Sequence, residues 1–417
     1  MLDAFSSLLL AIASTTTVQP QPQPQAAQPG PPQNIVVTGD RVADYRRRLA
    51  ACLARHCPPN EDIDASTALA EVLFFAGEYR DARTVLLASI GRNRREAEHY
   101  PEPVSELYRA NALVARHLGF DQDAQRSTWE ILHSLQRGIP VEDSRHFTAR
   151  LEVVESLIAF GEYYQARQQL GVLANRARAA GRDDVVAVTE LRSLWLEYIQ
   201  APESNEIVRA LTTMAASPDA HRSVGAKMLL IRIYNARGQT RQADALIAGL
   251  GISGTRRQLL FAPEYELVQQ DNVTAARGRN STINSTANAV PPRPGETSPS
   301  LLIASNLSDR LTDVYDQLID VGFRIRPDGT VTDVQIVNRR GAAGWESPLV
   351  GSIAGRRYAV AQDGSETYRV ERYTYTAERR TQGLTGTRIG NRSPRGRVEF
   401  EELSETNVPA APHTGSL

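Results

Sequence analysis

The residues of this chain most able to do chemistry are its seven histidines, its two cysteines and a few adjacent carboxylates. None of the histidines stands in the HExxH or HxxxH spacing that aims two zinc ligands from one helix face. A GxSxG nucleophile turn, a Walker phosphate loop and a GxGxxG loop after a strand are also missing from the sequence. The histidines are His56, His99, His117, His133, His146, His221 and His413. We therefore expect no catalytic residue, cofactor or metal, with an enzyme whose active-site residues are scattered along the chain as an alternative.

Two pairs of neighbouring carboxylates, Glu142-Asp143 and Asp183-Asp184, fall at the starts of predicted helices. The helix dipole favours negative charge there, so capping explains these pairs better than acid/base catalysis. The basic run Arg46-Arg47-Arg48 lies on a predicted helix and is expected to form a solvated face. The carboxylate pairs therefore predict where helices begin, and the three arginines predict a solvent-exposed helix face.

The two cysteines, Cys52 and Cys57, are five residues apart, and the second directly precedes Pro58-Pro59, where a helix must stop. A disulfide that clamps this helix end is expected in an oxidising compartment, with two free thiols as the alternative. Metal binding is the weakest interpretation, because zinc takes four ligands and no second cysteine or histidine pair accompanies these two.

The N-terminus predicts an exported protein. Residues 4–13 form an apolar run of signal-peptide length, too short to span a bilayer, so 1–13 is the predicted signal peptide. Residues 14–39 form a Gln/Pro-rich linker. A signal, a linker and a folded body predict a bacterial periplasmic protein with no transmembrane segment in the mature chain.

The length of the chain indicates how many domains it has, and its net charge indicates which partners it does not bind. The chain has 417 residues, 47 Lys+Arg against 48 Asp+Glu and a formal net charge of -1. At about 150 residues per domain, two or three domains are expected. The balanced charge gives no basic field for nucleic acid, so we expect no nucleic-acid partner.

The middle of the chain, residues 40–250, reads as consecutive amphipathic helices with an internal repeat. In each repeat a glycine is followed five residues later by an alanine. Glycine suits the left-handed position that ends one helix, and alanine lets the returning helix cross closely. The pairs are Gly77 and Ala82, Gly119 and Ala124, Gly161 and Ala166, and Gly238 and Ala243. The gap before the last pair leaves room for one degenerate unit around 198–210.

At GEYRDA (77–82) and GEYYQA (161–166) the chain resembles the tetratricopeptide repeat family, over residues 40–250. Its 42-residue spacing is longer than is usual in that family. The resemblance implies a mainly α solenoid that binds peptides or proteins and does no chemistry.

After a second linker at 251–300, the region 301–380 predicts a small α+β domain of β-β-α-β order. Two alternating segments flank the turn Pro327-Asp328-Gly329, which is typical of a β-hairpin. A short helix follows to about residue 357, with Pro348 at its first position. A third strand is expected over 366–377, and the tail 381–417 is predicted to hold at most one extra strand before disorder.

These residues resemble the C-terminal domain of the TonB energy transducers over about 303–378. The resemblance rests on VGFRI (321–325), PDGTVTDVQIV (327–337), Tyr373 and Tyr375. It implies a periplasmic domain that binds other envelope proteins, including TonB-dependent receptors or a TonB transducer.

The segment at the end of the first linker resembles the short motif that precedes the plug of TonB-dependent receptors and pairs with a sheet edge. A plain apolar linker end is the alternative. The segment consists of Asn34, Ile35, Val36, Val37, Thr38 and Gly39. Together these features predict a non-enzymatic periplasmic adaptor or scaffold, possible partners being TonB-dependent receptors, a TonB transducer or envelope assembly factors. The other reading is a structural envelope-biogenesis factor without a role in energy transduction.

Overall fold

The computed structural model describes residues 39–250, 257–263, 265, 317–341, 344–361, 364–381, 390–392 and 396–403. They form two compact units, one mainly from residues 39–250 and one mainly from residues 261–403. The predicted signal peptide, nearly all of the first linker and most of the second lie outside the described residues.

The first unit is helical, which confirms the mainly α fold class. Each helix is amphipathic and buries its apolar stripe against its neighbours. The helices are α1 (Gly39–Ala54), α2 (Pro59–Phe75), α3 (Tyr79–Asn93), α4 (Pro101–His117), α5 (Asp121–Gly138), α6 (Arg145–Ala159), α7 (Tyr163–Ala179), α8 (Asp183–Gln200), α9 (Asn205–Ala215), α10 (Ala220–Ala236) and α11 (Thr240–Ala248). A short 3-10 turn, Arg94–Glu98, follows α3.

Five consecutive helical hairpins follow α1: α2/α3, α4/α5, α6/α7, α8/α9 and α10/α11. In the third hairpin, Gly161 has a φ of 74°, in the left-handed region that glycine adopts without a Cβ penalty. The next residue, Glu162, donates its backbone N–H to the carbonyl of Leu157 at 2.8 Å. This six-residue closure is the Schellman motif, which satisfies carbonyls that the end of a helix leaves without partners. The first, second and fifth hairpins close in the same way.

The alanines of the repeat all sit at the fourth position of the returning helix. Ala82, Ala124, Ala166 and Ala243 are each at most 2% exposed. A side chain larger than methyl at these positions would push the two helices of a hairpin apart.

The fourth hairpin departs from this pattern. Its turn is the four-residue segment Ala201–Ser204, whereas the glycine turns of the other hairpins have three residues. α9 has 11 residues, fewer than α3, α5 and α7 with 15 to 18 but more than α11, which has 9 and keeps the glycine and alanine. Position four of α9 is Val208, and Ile207 beside it is 6% exposed. The fourth hairpin therefore occupies the place of the predicted degenerate unit, with bulkier residues where the others have alanine.

One continuous part of the core of the helical unit runs through α6 to α10. Its buried members include Leu151, Leu173, Leu191, Leu211 and Leu229, each at most 2% exposed. Since each hairpin covers the apolar face of the next, this continuous core requires stacking of the repeats.

The second unit is built around an antiparallel sheet whose strands lie side by side in the order Val331–Arg340, Gln317–Ile325, Thr367–Thr376 and Arg397–Glu402. The first three of these strands and the helix Glu346–Ala354 follow along the chain in β-β-α-β order, with one two-residue strand between the helix and Thr367–Thr376, which confirms that part of the fold class. The elements after α11 are β1 (Leu259–Phe261), β2 (Gln317–Ile325), β3 (Val331–Arg340), α12 (Glu346–Ala354), β4 (Arg357–Tyr358), β5 (Thr367–Thr376), β6 (Arg379–Thr381), β7 (Gly390–Arg392) and β8 (Arg397–Glu402).

The hairpin β2/β3 turns at the Asp-Gly pair. Gly329 has a φ of 81°, and a Cβ there would lie 2.1 Å from the carbonyl oxygen of Tyr358. Glycine therefore meets both the turn conformation and the close backbone approach. The expectation that Pro348 opens the helix was wrong, because α12 begins at Glu346 and Pro348 is its third residue. Proline is tolerated there because the first-turn N–H groups have no partner within the helix.

Candidate partner-binding surfaces

The repeats of the helical unit are linked by ion pairs between successive hairpins. Arg83 of α3 pairs with Asp123 of α5. Arg109 of α4 pairs with Glu152 of α6, with 3.0 Å between Arg109 Nη2 and Glu152 Oε1. Burial raises the pKa of Glu152 even though the nearby Arg109 opposes this effect. Partly exposed pairs of this kind contribute about 0.2–1 kcal/mol each, so they set the register of the stack more than its stability.

A buried polar network joins the two helices of the first hairpin. The carboxylate of Asp62 accepts bonds from Arg92 Nε (2.7 Å) and Nη2 (2.6 Å), from Asn93 Nδ2 (2.7 Å) and from Ser66 Oγ (3.0 Å). Burial alone would raise the pKa of Asp62, but these hydrogen bonds outweigh it and lower the pKa below its usual value. Every acceptor position of this carboxylate is used by the protein itself, which makes it a structural group.

The structure joins Cys52 and Cys57 in a disulfide, with their Cα atoms 5.2 Å apart. Cys52 is 4% exposed at the end of α1, and Cys57 lies in the turn before α2. The carboxylate of Glu61 is within 4.8 Å of both sulfurs, but it pairs with Arg55. Disulfide sulfurs are not thiolate ligands, so this arrangement holds two helices together and leaves no metal ligand set at this position.

The acidic pairs at the helix starts have local partners. Asp184 accepts two bonds from Arg182, of 2.9 and 2.6 Å, and the side-chain hydrogen bond from Arg182 lowers its pKa. Asp143 accepts the backbone N–H of Arg145 at 2.9 Å. Asp143 lies in the turn before α6 and Asp184 in the first turn of α8, where the positive end of the helix dipole favours a carboxylate.

Buried His146 likewise has a structural partner: its Nε2 lies 2.9 Å from the carbonyl oxygen of Pro140. This bond fastens the loop between α5 and α6. The histidine is therefore engaged in loop structure, and its position offers no open face to a substrate.

The exposed surface of α7 carries apolar side chains. Tyr164 is 76% exposed and Val172 is 39% exposed, although both belong to a helix that packs on its other side. Aromatic side chains exposed to this extent are common anchors in protein interfaces. The surface of α7 is thus a candidate contact for a partner.

A surface cavity of about 430 Å³ lies next to this surface, between α7, the end of α8 and the start of α9. Leu194 and Ile207 are apolar lining residues, and Arg167, Glu197 and Glu206 line it with charged groups. It lies at the fourth hairpin, where the repeat pattern is broken.

In the second unit, β3 is an edge strand. Among the described strands, β2 pairs with one side of β3 and none pairs with the other. Val337 on β3 is 41% exposed, and a groove of about 470 Å³ lies beside Ile336 and Val350 of α12. Arg339 spans the groove to Glu346 at 3.1 Å. Such an edge offers backbone groups for one more strand, with a groove for its side chains.

The other edge strand of the sheet is β8, which pairs with β5 from Glu371↔Glu402 to Thr376↔Arg397. The β5 edge is therefore already occupied by the chain itself. The expectation of at most one strand after residue 381 was wrong, because β7 and β8 both lie there.

A cluster of buried polar side chains lies at β5. Arg356 Nη1 is 2.6 Å from Glu371, and its Nη2 donates to the hydroxyl of Tyr373 at 2.7 Å. Burial raises the pKa of Tyr358, the fourth member, to about 12. Burial would lower the pKa of Arg356, but Glu371 and the tyrosines outweigh it and raise the pKa well above its usual value. The cluster is a buried ion pair in the interior of the unit, in which both terminal nitrogens of Arg356 have partners and its Nε has none.

Within the described residues, no helix combines the length and the apolar character needed to cross a membrane. The segment from Asn34 to Thr38 lies outside those residues, and Gly39 is the first residue of α1. The sequence did not single out the cavity, the edge groove or the Asp62 network. The only sequence feature that marks the position of the cavity is the absence of the glycine and alanine from the fourth hairpin.

Comparisons with known proteins find limited similarity. No family model matches the chain, and no curated protein matches it. Among solved structures, BtubC from P. vanneervenii is 15% identical with a TM-score of 0.37, covering 62% of this chain and 95% of that one. A Rap protein complexed with competence and sporulation factor is 16% identical with a TM-score of 0.29, covering 54% of this chain and 66% of that one. The repeat fold is therefore read from the helices themselves, and these similarities assign no function.

Proposed function

We propose that this protein is a non-enzymatic periplasmic adaptor, in which the helical unit holds one protein partner and the C-terminal sheet contacts another. The observation that carries this proposal is the pairing of a helical-repeat stack with an open strand edge in one chain. Stacked helical repeats provide extended surfaces for proteins, and an open edge provides backbone groups for an added strand.

The candidate contact of the helical unit is the surface of α7 around Tyr164. The candidate contact of the second unit is β3, with Val337 exposed next to the edge groove. Each surface combines apolar side chains with nearby charges, as protein interfaces do.

A link to TonB-dependent transport is the finer part of the proposal. It is supported by the sequence resemblance at the Asp-Gly hairpin and the final strand. The apolar run at 4–13 supports export to the periplasm, and the disulfide Cys52–Cys57 suits an oxidising compartment. Fractionation of the expressing bacterium tests the location: release of the protein by osmotic shock is expected, and retention with cytoplasmic markers would contradict it.

The proposed pairing segment, 34–39, would add a strand to a sheet edge of a second copy or of a separate transducer. Among the described strands, β3 and β8 are the two edge strands of this sheet, and β3 is the proposed site because a groove and exposed Val337 lie beside it. The peptide 33–41 is titrated against the full chain and against a TonB transducer domain. Val36→Pro removes a backbone donor and should abolish binding, whereas Val36→Thr keeps every donor and should retain it. Absence of binding by the unmodified peptide to either protein would leave this segment a linker end.

The adaptor itself is tested by photo-crosslinking in living cells. A photoreactive residue replaces Tyr164 in one strain and Val337 in another, and the crosslinked proteins are identified by mass spectrometry. An adaptor predicts a defined product from each position, with a different protein in each. Crosslinks from both positions to the same protein, or none from either, would contradict the proposal.

A further inference from the structure

The third hairpin can be compared with the first, position by position. Gly77 and Gly161 close the two hairpins and are 84 residues apart, and the returning helices begin at Tyr79 and Tyr163, again 84 apart. Residues separated by 84 positions therefore occupy equivalent places in the two hairpins. The equivalence extends to the Asp62 network, each member of which has a counterpart in the third hairpin.

The third hairpin keeps the arginine of that network and replaces its carboxylate. Arg176 stands in the place of Arg92, and His146 stands in the place of Asp62. A histidine supplies no negative charge in either protonation state. The arginine is therefore present without the acid that pairs with it in the first hairpin.

The third hairpin also gains a second, buried arginine. Arg150 stands in the place of Ser66 and is 7% exposed. Its Nη1 donates to the side-chain oxygen of Gln169, which is a neutral acceptor. Its Nε and Nη2 have no hydrogen-bond partner among the described residues, and neither nitrogen is fully buried. Burial and the positive charge of Arg176 lower the pKa of Arg150.

The carboxylates at the same end of the hairpin serve other arginines. Asp143, before α6, pairs with Arg145, and Asp184, after α7, pairs with Arg182. α6 begins and α7 ends here, so their helix dipoles oppose each other. Within the described part of the chain, neither of the two arginines of the hairpin has an ion-pair partner. The local charge is therefore positive, and nothing on these elements neutralises it.

A carboxylate is the group that completes this arrangement. A buried cation is costly without an acid, and guanidinium groups bind carboxylates through two parallel N–H donors. In the first hairpin, Arg92 uses its Nε and Nη2 in this way for Asp62. The same two nitrogens are the ones that Arg150 has left open, and they lie on one edge of the guanidinium, spaced for the two oxygens of a carboxylate.

We propose that the third hairpin binds an acidic side chain of the protein partner, held by Arg150 and Arg176, whose carboxylate takes the place that Asp62 has in the first hairpin. The inference rests on the proposed function for the existence of that partner, and it adds the partner's chemistry. Val172, which is 39% exposed, lies one helical turn before Arg176 on α7 and offers an adjacent apolar contact.

The test uses the full-length protein and small probes, so it does not depend on identifying a partner. The Nε–H resonance of Arg150 and the methyl resonances of Val172 are followed by NMR during titration with N-acetyl-glutamate amide. N-acetyl-glutamine amide, which has the same shape without the charge, is the comparison probe. We expect the glutamate probe to shift both sets of resonances and to bind about tenfold more tightly than the glutamine probe, with the difference shrinking in high salt.

The matched variants are Arg176→Gln and Arg178→Gln, because Arg178 is an exposed arginine on the opposite face of the same helix. Arg176→Gln should weaken binding of the glutamate probe, and Arg178→Gln should leave it unchanged. Arg150→Met removes the paired donors and should abolish the preference for glutamate over glutamine. Arg176→Gln lies on the surface and keeps the test decisive if Arg150→Met does not fold.

Four outcomes would each overturn the proposal. They are equal binding of the two amides, equal effects of Arg176→Gln and Arg178→Gln, a preference for glutamate that Arg150→Met retains, and unshifted resonances at the solubility limit of the probe. Inorganic phosphate is titrated in parallel, and tighter binding of phosphate than of the glutamate probe would also contradict a carboxylate site. These results are independent of the crosslinking outcome, so this site and the adaptor function can fail separately.

Discussion

Removal of the Asp62 carboxylate tests how the first hairpin is held together. In Asp62→Ala, Arg92 loses two charge-assisted hydrogen bonds and Asn93, which is 4% exposed, loses its carboxylate acceptor. Hydrogen bonds to charged groups contribute about 1.5–3 kcal/mol each, and a buried N–H that loses its acceptor costs about 1–3 kcal/mol. The amide nitrogen of Asn93 keeps its bonds to Ser89, so its loss lies at the low end of that range. The side chain of Arg92 is 37% exposed, so water can replace its lost hydrogen bonds, and the total destabilisation is smaller than these values added together. We expect a loss of about 2–4 kcal/mol in the free energy of unfolding.

The measurement is urea denaturation of the full chain, followed by far-UV circular dichroism. Asp64→Ala is the matched control, because Asp64 is an exposed carboxylate two residues along the same helix. An exposed substitution of this kind should stay within about 0.5 kcal/mol of the parent protein. If Asp62→Ala and Asp64→Ala unfold at the same urea concentration, the assignment of Asp62 as the structural centre of this hairpin is wrong.

The same network predicts a pH dependence. Because the pKa of Asp62 is lowered in the folded state, its contribution is fully present above the unfolded value of about 3.9 and is lost as pH falls through the folded value. The stability difference between the parent protein and Asp62→Asn should therefore shrink on acidification below about pH 4. A difference that stays constant across this range would show that Asp62 is not held ionised by its partners.

Three further substitutions test other parts of the structure by urea denaturation. Ala166→Trp should overfill the helix crossing of the third hairpin, where Ala166 is 0% exposed, and destabilise the chain by about 1–3 kcal/mol. Cys57→Ser should cost about 2 kcal/mol, because the disulfide closes only a short loop, and reduction should make the parent protein resemble the variant. Glu371→Gln should cost about 3–5 kcal/mol, because it leaves buried Arg356 without its carboxylate.

Each of these has an outcome that the structure does not allow. Unchanged stability of Ala166→Trp would mean that the repeat register is misassigned. A reductant that destabilises Cys57→Ser as strongly as the parent protein would mean that the disulfide is not the source of the effect. If Glu371→Gln and the exposed control Glu366→Gln have equal stabilities, the buried ion pair between Arg356 and Glu371 does not stabilise the fold.

The helical turns could be predicted because their cause is local. A glycine in the left-handed region and a small residue five positions later are visible in sequence, and Gly161 and Ala166 behave as that rule requires. The Asp-Gly hairpin at Gly329 is predictable for the same reason. In both cases the backbone conformation of one glycine determines where the turn forms.

Features that depend on packing between distant elements were not predictable. A turn signal, Ser-Pro-Arg-Gly at 393–396, precedes β8, but its pairing with β5 from Glu371 to Thr376 joins segments more than 20 residues apart and cannot be read from either alone. The buried position of Asp62 depends on where α3 places Arg92, 30 residues away. The cavity lies where the glycine and alanine of the repeat are missing, so the sequence could mark its place but could not show which side chains line it.

Simultaneous binding is the most direct test of the adaptor. The two proteins crosslinked at Tyr164 and at Val337 are purified and mixed with the full chain, and the assemblies are weighed by native mass spectrometry. The adaptor predicts a ternary complex with one copy of each partner bound to the same chain. Two binary complexes that exclude each other would contradict the proposal that the helical unit and the sheet bring two proteins together.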